Sequence, residues 1–406
     1  MKITNRDDFE RILPTKVINR KIHSEFIESM DREEVSILYG ARQVGKSVEV
    51  WQTIKELFDR GPSEVFYYNF DEIPSDANNP DVFLNSILSQ MTTKKCFVFI
   101  DEAQRKTDVG KWIKYMYDQK KGIKWVLTGS ASLELKNKTK ESLVGRKIEF
   151  YLSSLDLMEI LGDMNIDVKN ITGRFEKLDQ IVEEYLRFGG YPGVYQQVSA
   201  INKIEKLTEV AETYLISDLA NMYGIQNKDS LRLVASFVGE NVGSVLSKDN
   251  IAKVTALKKN EVEKVLEALE GGFVVRKIKT FSTDSTKELI HRPKVFFEDL
   301  GIRNALLRKL EEGRLMTEKG KLWENLVVNL AANKWGWRNI RYWRTINQTE
   351  VDVVVVKDNG RLEVIEAKYS TIEYIPKNVA SFSEKYRDLV DNVTIVSRDN
   401  WWGMLS

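Results

Sequence analysis

Residues 40–47 read Gly-Ala-Arg-Gln-Val-Gly-Lys-Ser, a full match to G-x-x-x-x-G-K-[ST]. No other stretch limits the fold as much. The pattern works in one setting: a loop that leaves a strand and opens a helix, with backbone N–H groups turned inward and the helix dipole behind them. The flanks supply that setting. Val35, Ile37 and Leu38 form a short apolar strand before the loop, and Val48, Trp51, Ile54 and Leu57 recur after it at helical spacing. In such a loop Gly40, Gln43, Val44 and Gly45 would wrap phosphates. Lys46 would reach the β- and γ-phosphates, and Ser47 would hold Mg2+. ATP with Mg2+ is the cofactor expected.

Two further apolar runs follow, "SEVFYYNFDE" at 63–72 and "KKCFVFIDEAQR" at 94–105. Phe97 to Ile100 are apolar without a break, which suits a parallel sheet covered on both faces. Asp101 and Glu102 then fall at the C-terminal edge, where α/β sheets bind ligands. Asp101 would hold the water shell of Mg2+, and Glu102 would polarise an attacking water. Alone, the pair is an ordinary acidic strand end; downstream of a phosphate loop it becomes a Walker B element. A fourth run, "IKWVLTGSAS" at 123–132, ends in Thr128, Ser130 and Ser132. One of these hydroxyls would sense the γ-phosphate, and Ser130 is preferred. Arg146 follows Gly145 just before another extended segment. An arginine beside a γ-phosphate can raise the rate roughly 10³–10⁵-fold; on spacing alone, a surface arginine is an equal reading.

The chain has 406 residues, more than one core usually holds, so two or three domains are expected. Its net charge of +1 means that any nucleic-acid site must come from local charge. The single cysteine, Cys96, lies in the apolar run "CFVFI" and fits a reducing cytoplasm. His23 and His291 are too far apart in sequence to suggest a histidine zinc site or a Ser-His triad. No stretch reaches the ~18 consecutive apolar residues of a membrane span. A cytoplasmic protein with no membrane contact is expected.

Residues 178–225 look helical around "RFGGYPGVYQQV", where Gly189-Gly190 and Pro192-Gly193 break the pattern. The break is either a plain helix–helix turn or a gate that senses nucleotide. Residues 229–300 suggest a winged helix. Val262, Val265, Leu266 and Leu269 form a core-facing stripe on its second helix, and strands from "GGFVVRKI" and "KVFFEDLGI" would pair around a wing at Thr280 to Glu288. Glu261, Glu263, Glu267 and Glu270 make that helix a poor reader of DNA. Basic residues gather instead at Lys258-Lys259 and Arg276-Lys277-Lys279, which would favour phosphate contacts over base readout.

Residues 316–406 carry the least expected pattern. A helix with Leu322, Leu326 and Leu330 on one side contains Glu324. Two strand runs at 350–356 and 362–368 flank Asp358-Asn359-Gly360, a hairpin signal. Register decides what meets. A two-residue turn pairs Asp352 with Ala367. A three-residue loop with Gly360 left-handed pairs Lys357 with Arg361 and Asp352 with Glu366, so that Asp352, Glu366 and Lys368 share a face. The three-residue form is expected. The stretch "KWGWRNIRYWR" places Arg338, Arg341, Trp343 and Arg344 nearby, either for phosphate contact and base stacking or as core tryptophans with snorkelling arginines.

"LYGARQVGKS", "FVFIDEAQ", "LTGSAS", "LVGRKIEFYLSSL" and "YLRFGGYPGVY" together resemble a prokaryotic AAA-type ATPase family. That resemblance implies a lid after the Gly145-Arg146 pair and a C-terminal domain of poorly defined function. The order Glu324, Asp352, Glu366-Ala367-Lys368 resembles restriction-endonuclease-like nucleases, without the proline that usually precedes the aspartate. It implies Mg2+ on Glu324, Asp352 and Glu366, with Lys368 as the nuclease lysine. The fold expected is α/β: a P-loop AAA/RecA-like parallel sheet over 1–155, a helical lid over 156–228, a winged helix over 229–314 and a restriction-endonuclease-like α/β domain over 315–406. The function expected is ATP hydrolysis, associated with DNA and coupled to the nuclease-like domain. The alternative is a nucleotide switch whose last domain binds a protein partner or DNA without cleavage. Oligomeric state is left open.

Overall fold

The computed structural model describes residues 2–3, 13–14, 16–61, 63–130, 139, 142–168, 175–284, 292–311 and 313–405. The chain forms two compact units, residues 1–153 with 271–273 and residues 154–270 with 274–406.

The first unit is built on six strands: β1 (Lys2–Ile3), β2 (Val35–Tyr39), β3 (Val65–Asn69), β4 (Cys96–Asp101), β5 (Ile123–Gly129) and β6 (Lys147–Tyr151), in the order β1-β3-β4-β5-β2-β6. All neighbours are parallel except β1, which runs antiparallel to β3. Every residue of β2 and of β4 is buried, as continuous apolar strands require when both faces are covered. Helices Lys46–Arg60, Pro80–Leu88 and Val109–Asp118 make the crossovers. Parallel pairing aligns the strand ends: Tyr39 stands opposite Gly129, and Asn69 opposite Asp101. The loop after β2, the acidic pair at the end of β4 and the hydroxyls at the end of β5 therefore lie at one edge of the sheet together. Ser132, among the sensor candidates, lies outside the described residues.

The second unit begins with helices Leu157–Asp163, Phe175–Phe188 and Ala200–Val210. The Gly189-Gly190 break is a site of close packing. A Cβ on Gly190 would lie 2.0 Å from the Leu155 carbonyl oxygen, and Gly189 has φ +67°. The Gly190 N–H donates to the buried Asp299 carboxylate at 2.9 Å.

Helices Lys228–Glu240, Lys248–Thr255 and Lys259–Gly271 then precede an antiparallel pair, β7 (Val275–Thr280) and β8 (Lys294–Phe297). The stripe Val262, Val265, Leu266 and Leu269 is fully buried. Part of the expected wing, residues 285–288, lies outside the described residues. Three residues of the basic cluster are paired locally: Lys259 with Asp249, Arg276 with Glu298 and Lys277 with Glu270.

The last strands are β9 (Ile340–Arg344), β10 (Glu350–Val356), β11 (Leu362–Ala367) and β12 (Val390–Val396). One sheet, in the order β12-β11-β10-β9-β7-β8, continues from the 229–314 segment into the last, because β7 pairs with β9 at Lys279↔Arg341 and Thr280↔Tyr342. Phe281, just past β7, shares a core with Trp343, Val354, Val364 and Phe382. Trp343 is thus a core residue, its ring 5.1 Å from that of Phe382, and is not placed to stack on bases. The β10–β11 hairpin has the three-residue loop. The Lys357 N–H donates to the Arg361 carbonyl at 2.9 Å, Gly360 has φ +78°, and Val353 stands opposite Ile365.

Candidate functional site

The loop after β2 is shaped by its backbone. A Cβ on Gly40 would lie 2.2 Å from the Leu152 carbonyl oxygen, so only glycine fits there. Gln43 and Gly45 have φ +64° and +101°, which turns the chain tightly into the helix Lys46–Arg60. Lys46 is 5% exposed, and its Nζ donates to the carbonyls of Gly40 and Ala41 at 3.0 and 2.8 Å. Burial pushes the Lys46 pKa down, against the opposing pull of Glu102 and Asp101.

Ser47 Oγ donates to Asp101 Oδ2 at 2.7 Å, and the Tyr67 hydroxyl donates to the same oxygen at 2.9 Å. Thr128 Oγ1 bonds the other carboxylate oxygen. Three hydroxyls on three elements thus fix Asp101 beside the loop. Glu102 takes the left-handed conformation, φ +53°, an uncommon state for a residue with a side chain. Its carboxylate accepts from Ser130 Oγ at 2.9 Å and from Gln104 Nε2, which also reaches Ser130 at 3.1 Å. Lys46, Ser47, Asp101, Glu102 and Ser130 therefore meet at one edge. Oxygen donors on Ser47 and Asp101, beside the Lys46 ammonium, fit a magnesium nucleotide. Sequence reasoning missed Tyr67 and Gln104, whose roles depend on strand neighbours rather than spacing.

Arg146 is the exception. Its carbonyl accepts the Val35 N–H at 2.8 Å, and Val35 begins the strand whose far end opens the phosphate loop. The five-residue strand from Val35 to Tyr39, four steps along the chain, separates the two ends by roughly 13 Å. Arg146 Nε instead bonds Asp118 at 3.0 Å. Parallel pairing of β2 and β6 puts Arg146 at the sheet edge opposite the phosphate loop, so the structure does not bring it to the γ-phosphate position of its own chain.

In the second unit, Glu324 projects from the helix Lys319–Trp335, while Glu350 and Asp352 share one face of β10. Carboxylate oxygens of these three lie within 4.8 Å of one another. The Ala367 N–H donates to Asp352 Oδ2 at 2.9 Å. Glu366 Oε1 accepts from Lys368 Nζ at 2.7 Å and from Asn378 Nδ2 at 3.0 Å. Glu366 Oε2 is buried and has no hydrogen-bond partner among the described residues. Burial, reinforced by Glu324 and Glu366, holds the Asp352 carboxyl well above the usual range.

Lys294, from β8, enters this cluster. It is 1% exposed, and its Nζ lies 2.8 Å from Glu324 Oε1 and also pairs with Glu350. Burial works against its charge, but Glu324 and Glu350 outweigh it and raise its pKa. The oxygen donors suit a hard divalent cation, yet an ammonium already answers their charge. Sequence reasoning missed Glu350, which the two-residue strand period from Asp352 signals, and Lys294, which no local spacing signals.

Residues 32–161 match the AAA domain family, which supports an AAA-type P-loop ATPase. Residues 179–312 and 319–400 match two domains of unknown function, DUF8612 and DUF4143. The uncharacterized protein MJ1544 of Methanocaldococcus jannaschii is 25% identical over 404 residues, 96% of this chain and 86% of that protein. The uncharacterized protein Rv2008c of Mycobacterium tuberculosis is 26% identical over 362 residues, 87% of this chain and 74% of that protein. A solved Walker-type ATPase of Pyrococcus abyssi is 14% identical with a TM-score of 0.48, over 75% of this chain and 97% of that one. No helix among the described residues is long and apolar enough to cross a membrane.

Proposed function

We propose that the chain binds and hydrolyses ATP with Mg2+, and that turnover governs a C-terminal unit with a nuclease-like acidic site. The single observation that carries the first part is the 2.7 Å contact of Ser47 with Asp101, with Glu102 next in sequence and held by Ser130. Backbone amides of Gly40 to Gly45 and the Lys46 ammonium would bind the phosphates. Ser47 and Asp101 would hold Mg2+, which supplies charge neutralisation at the transferred phosphoryl group. Glu102 would accept a proton from water, while Ser130 and Gln104 orient its carboxylate. Lys46→Ala should abolish ATP binding; retained tight binding would refute the site.

For the second unit, the layout of Glu324, Asp352, Glu366 and Lys368 supports a Mg2+-dependent nuclease site acting on DNA. A second reading, a switch that binds a protein partner or DNA without cleavage, is favoured by one observation: Lys294 sits among the carboxylates as a resident cation. The local ion pairs of Lys259, Arg276 and Lys277 also leave less free charge for DNA on the three-helix and hairpin segment. Nicking of supercoiled plasmid in Mg2+ or Mn2+ separates the two. Nicking lost in Asp352→Ala supports the nuclease; equal product from both proteins supports the switch.

A further inference from the structure

The segment just before the helix His23–Glu28 grips the phosphate loop, and it lies outside the residues that match the AAA domain. Arg20 is 8% exposed. Its Nη1 donates to the Val44 carbonyl at 2.8 Å, and its Nη2 donates to the Ser153 carbonyl at 2.7 Å. A Cβ on Gly45 would lie 3.7 Å from Arg20 Nη1, so the guanidinium lies against the last turn of the loop.

The bond to Val44 has a consequence for phosphate binding. The Val44 carbonyl and the Gly45 N–H belong to one peptide plane, and in a trans peptide they point in opposite directions. No cis peptide occurs among the described residues. Holding the carbonyl on the Arg20 side therefore turns the Gly45 N–H away from Arg20. Glycine at 45, with φ +101°, gives little resistance to rotation of that plane, so an outside donor is needed to set it. The rigid guanidinium fork suits the task because its second arm is anchored on Ser153.

The same segment holds the helix that follows the loop. His23 Nδ1 bonds Glu49 Oε1 at 2.7 Å and its Nε2 bonds Glu56 Oε2 at 2.8 Å, both on Lys46–Arg60. The His23 N–H donates to the Arg20 carbonyl at 3.1 Å, which joins the two grips in one short turn.

We propose that Arg20 is a positioning residue for the nucleotide: it orients the Val44–Gly45 peptide so that the Gly45 N–H faces the phosphates. The proposal rests on the reading of the loop as an ATP site. Its test uses the full chain and measures ATP affinity by calorimetry and KM and kcat by phosphate release, for wild type, Arg20→Ala, Arg20→Lys and Lys46→Ala. Loss of one charge-assisted hydrogen bond should weaken ATP binding by about tenfold in Arg20→Ala. The change should fall on KM more than on kcat, and added guanidinium ion should restore part of it. Arg20→Lys should lie between, since an ammonium cannot bridge both carbonyls. Wild-type affinity in Arg20→Ala, or a loss confined to kcat without guanidinium rescue, overturns the proposal. Should Arg20→Ala not fold, hydrogen exchange on the wild type decides: ATP should slow exchange in residues 16–23 together with 40–47, and a change confined to 40–47 overturns it. Tight ATP binding by Lys46→Ala would instead overturn the site reading beneath.

Discussion

Lys294 Nζ lies 2.8 Å from Glu324 Oε1, although the two residues sit on a hairpin strand and a helix that no sequence motif links. The lysine also pairs with Glu350, which stands two residues from Asp352 on β10. A divalent cation at these carboxylates must displace or share space with that ammonium. Removing one partner of a buried ion pair typically costs about 3–5 kcal/mol, because the other charges stay buried. Lys294→Met should therefore be less stable than wild type in chelator and should bind Mn2+ at least about tenfold more tightly, a gain near 1.4 kcal/mol. Calorimetric titration with Mn2+ and thermal melts with and without the metal check this. Equal Mn2+ affinity in the two proteins would show that the lysine does not compete.

The cradle itself depends on Gly40. The Leu152 carbonyl oxygen would lie 2.2 Å from a Cβ there, and a backbone atom cannot swing aside as a side-chain tip can. Overpacking of this kind typically costs about 1–3 kcal/mol or more. Gly40→Ala should lower the melting temperature and weaken ATP binding together. Unaltered ATP affinity in calorimetry would contradict the tight approach.

A parallel comparison tests the Gly-rich turn of the second unit. Gly190→Ala would put a Cβ 2.0 Å from the Leu155 carbonyl oxygen, whereas at Gly193 the nearest neighbour is Lys206 Cε at 3.6 Å. Gly190→Ala should lose several degrees in a thermal melt, in line with about 1–3 kcal/mol of overpacking. Gly193→Ala should melt close to wild type. Similar melting of both variants would argue that the glycines serve only as chain breakers.

His23 makes a pH-dependent contribution. Its hydrogen bond and charge pairing with Glu49, together with Glu56, raise its pKa from 6.5 to about 9 against the cost of burial. The folded value is the raised one, so this stabilisation is fully present below pH 6.5 and fades as pH rises through about 9. The ring is partly exposed, so screening keeps the contribution on the order of 1 kcal/mol. The stability gap between wild type and His23→Gln in urea melts should be widest at acidic pH and narrow toward the alkaline end. A gap that grows with pH would contradict the assignment.

Much of the first unit was legible because its chemistry is local. A strand, a phosphate loop and a helix occupy consecutive residues, and Phe97 to Ile100 announce a buried strand by apolar continuity. The β10–β11 register was legible for the same reason: Asp358-Asn359-Gly360 sets the turn, and the turn sets every pair behind it. What escaped was set by neighbours distant in sequence. The sheet edge that Arg146 occupies was not legible, because spacing does not say at which end of a parallel strand a residue enters the sheet. Arg20, Tyr67, Gln104 and Lys294 act through contacts with other elements that no periodicity encodes. The aromatic run at 335–343 was ambiguous by composition, and Trp343 went to the core because Phe281 and Phe382 close over it.

Glu102, held by Ser130 and Gln104 beside the Ser47–Asp101 pair, is the proposed base for ATP hydrolysis. The direct measurement is steady-state phosphate release by the full chain with Mg-ATP, wild type against Glu102→Gln, with ATP affinity measured on both. Loss of a positioned general base should cut turnover by roughly 10²–10⁴-fold while ATP binding is retained. Turnover by Glu102→Gln at the wild-type rate, with ATP bound equally well, would rule out Glu102 as that base.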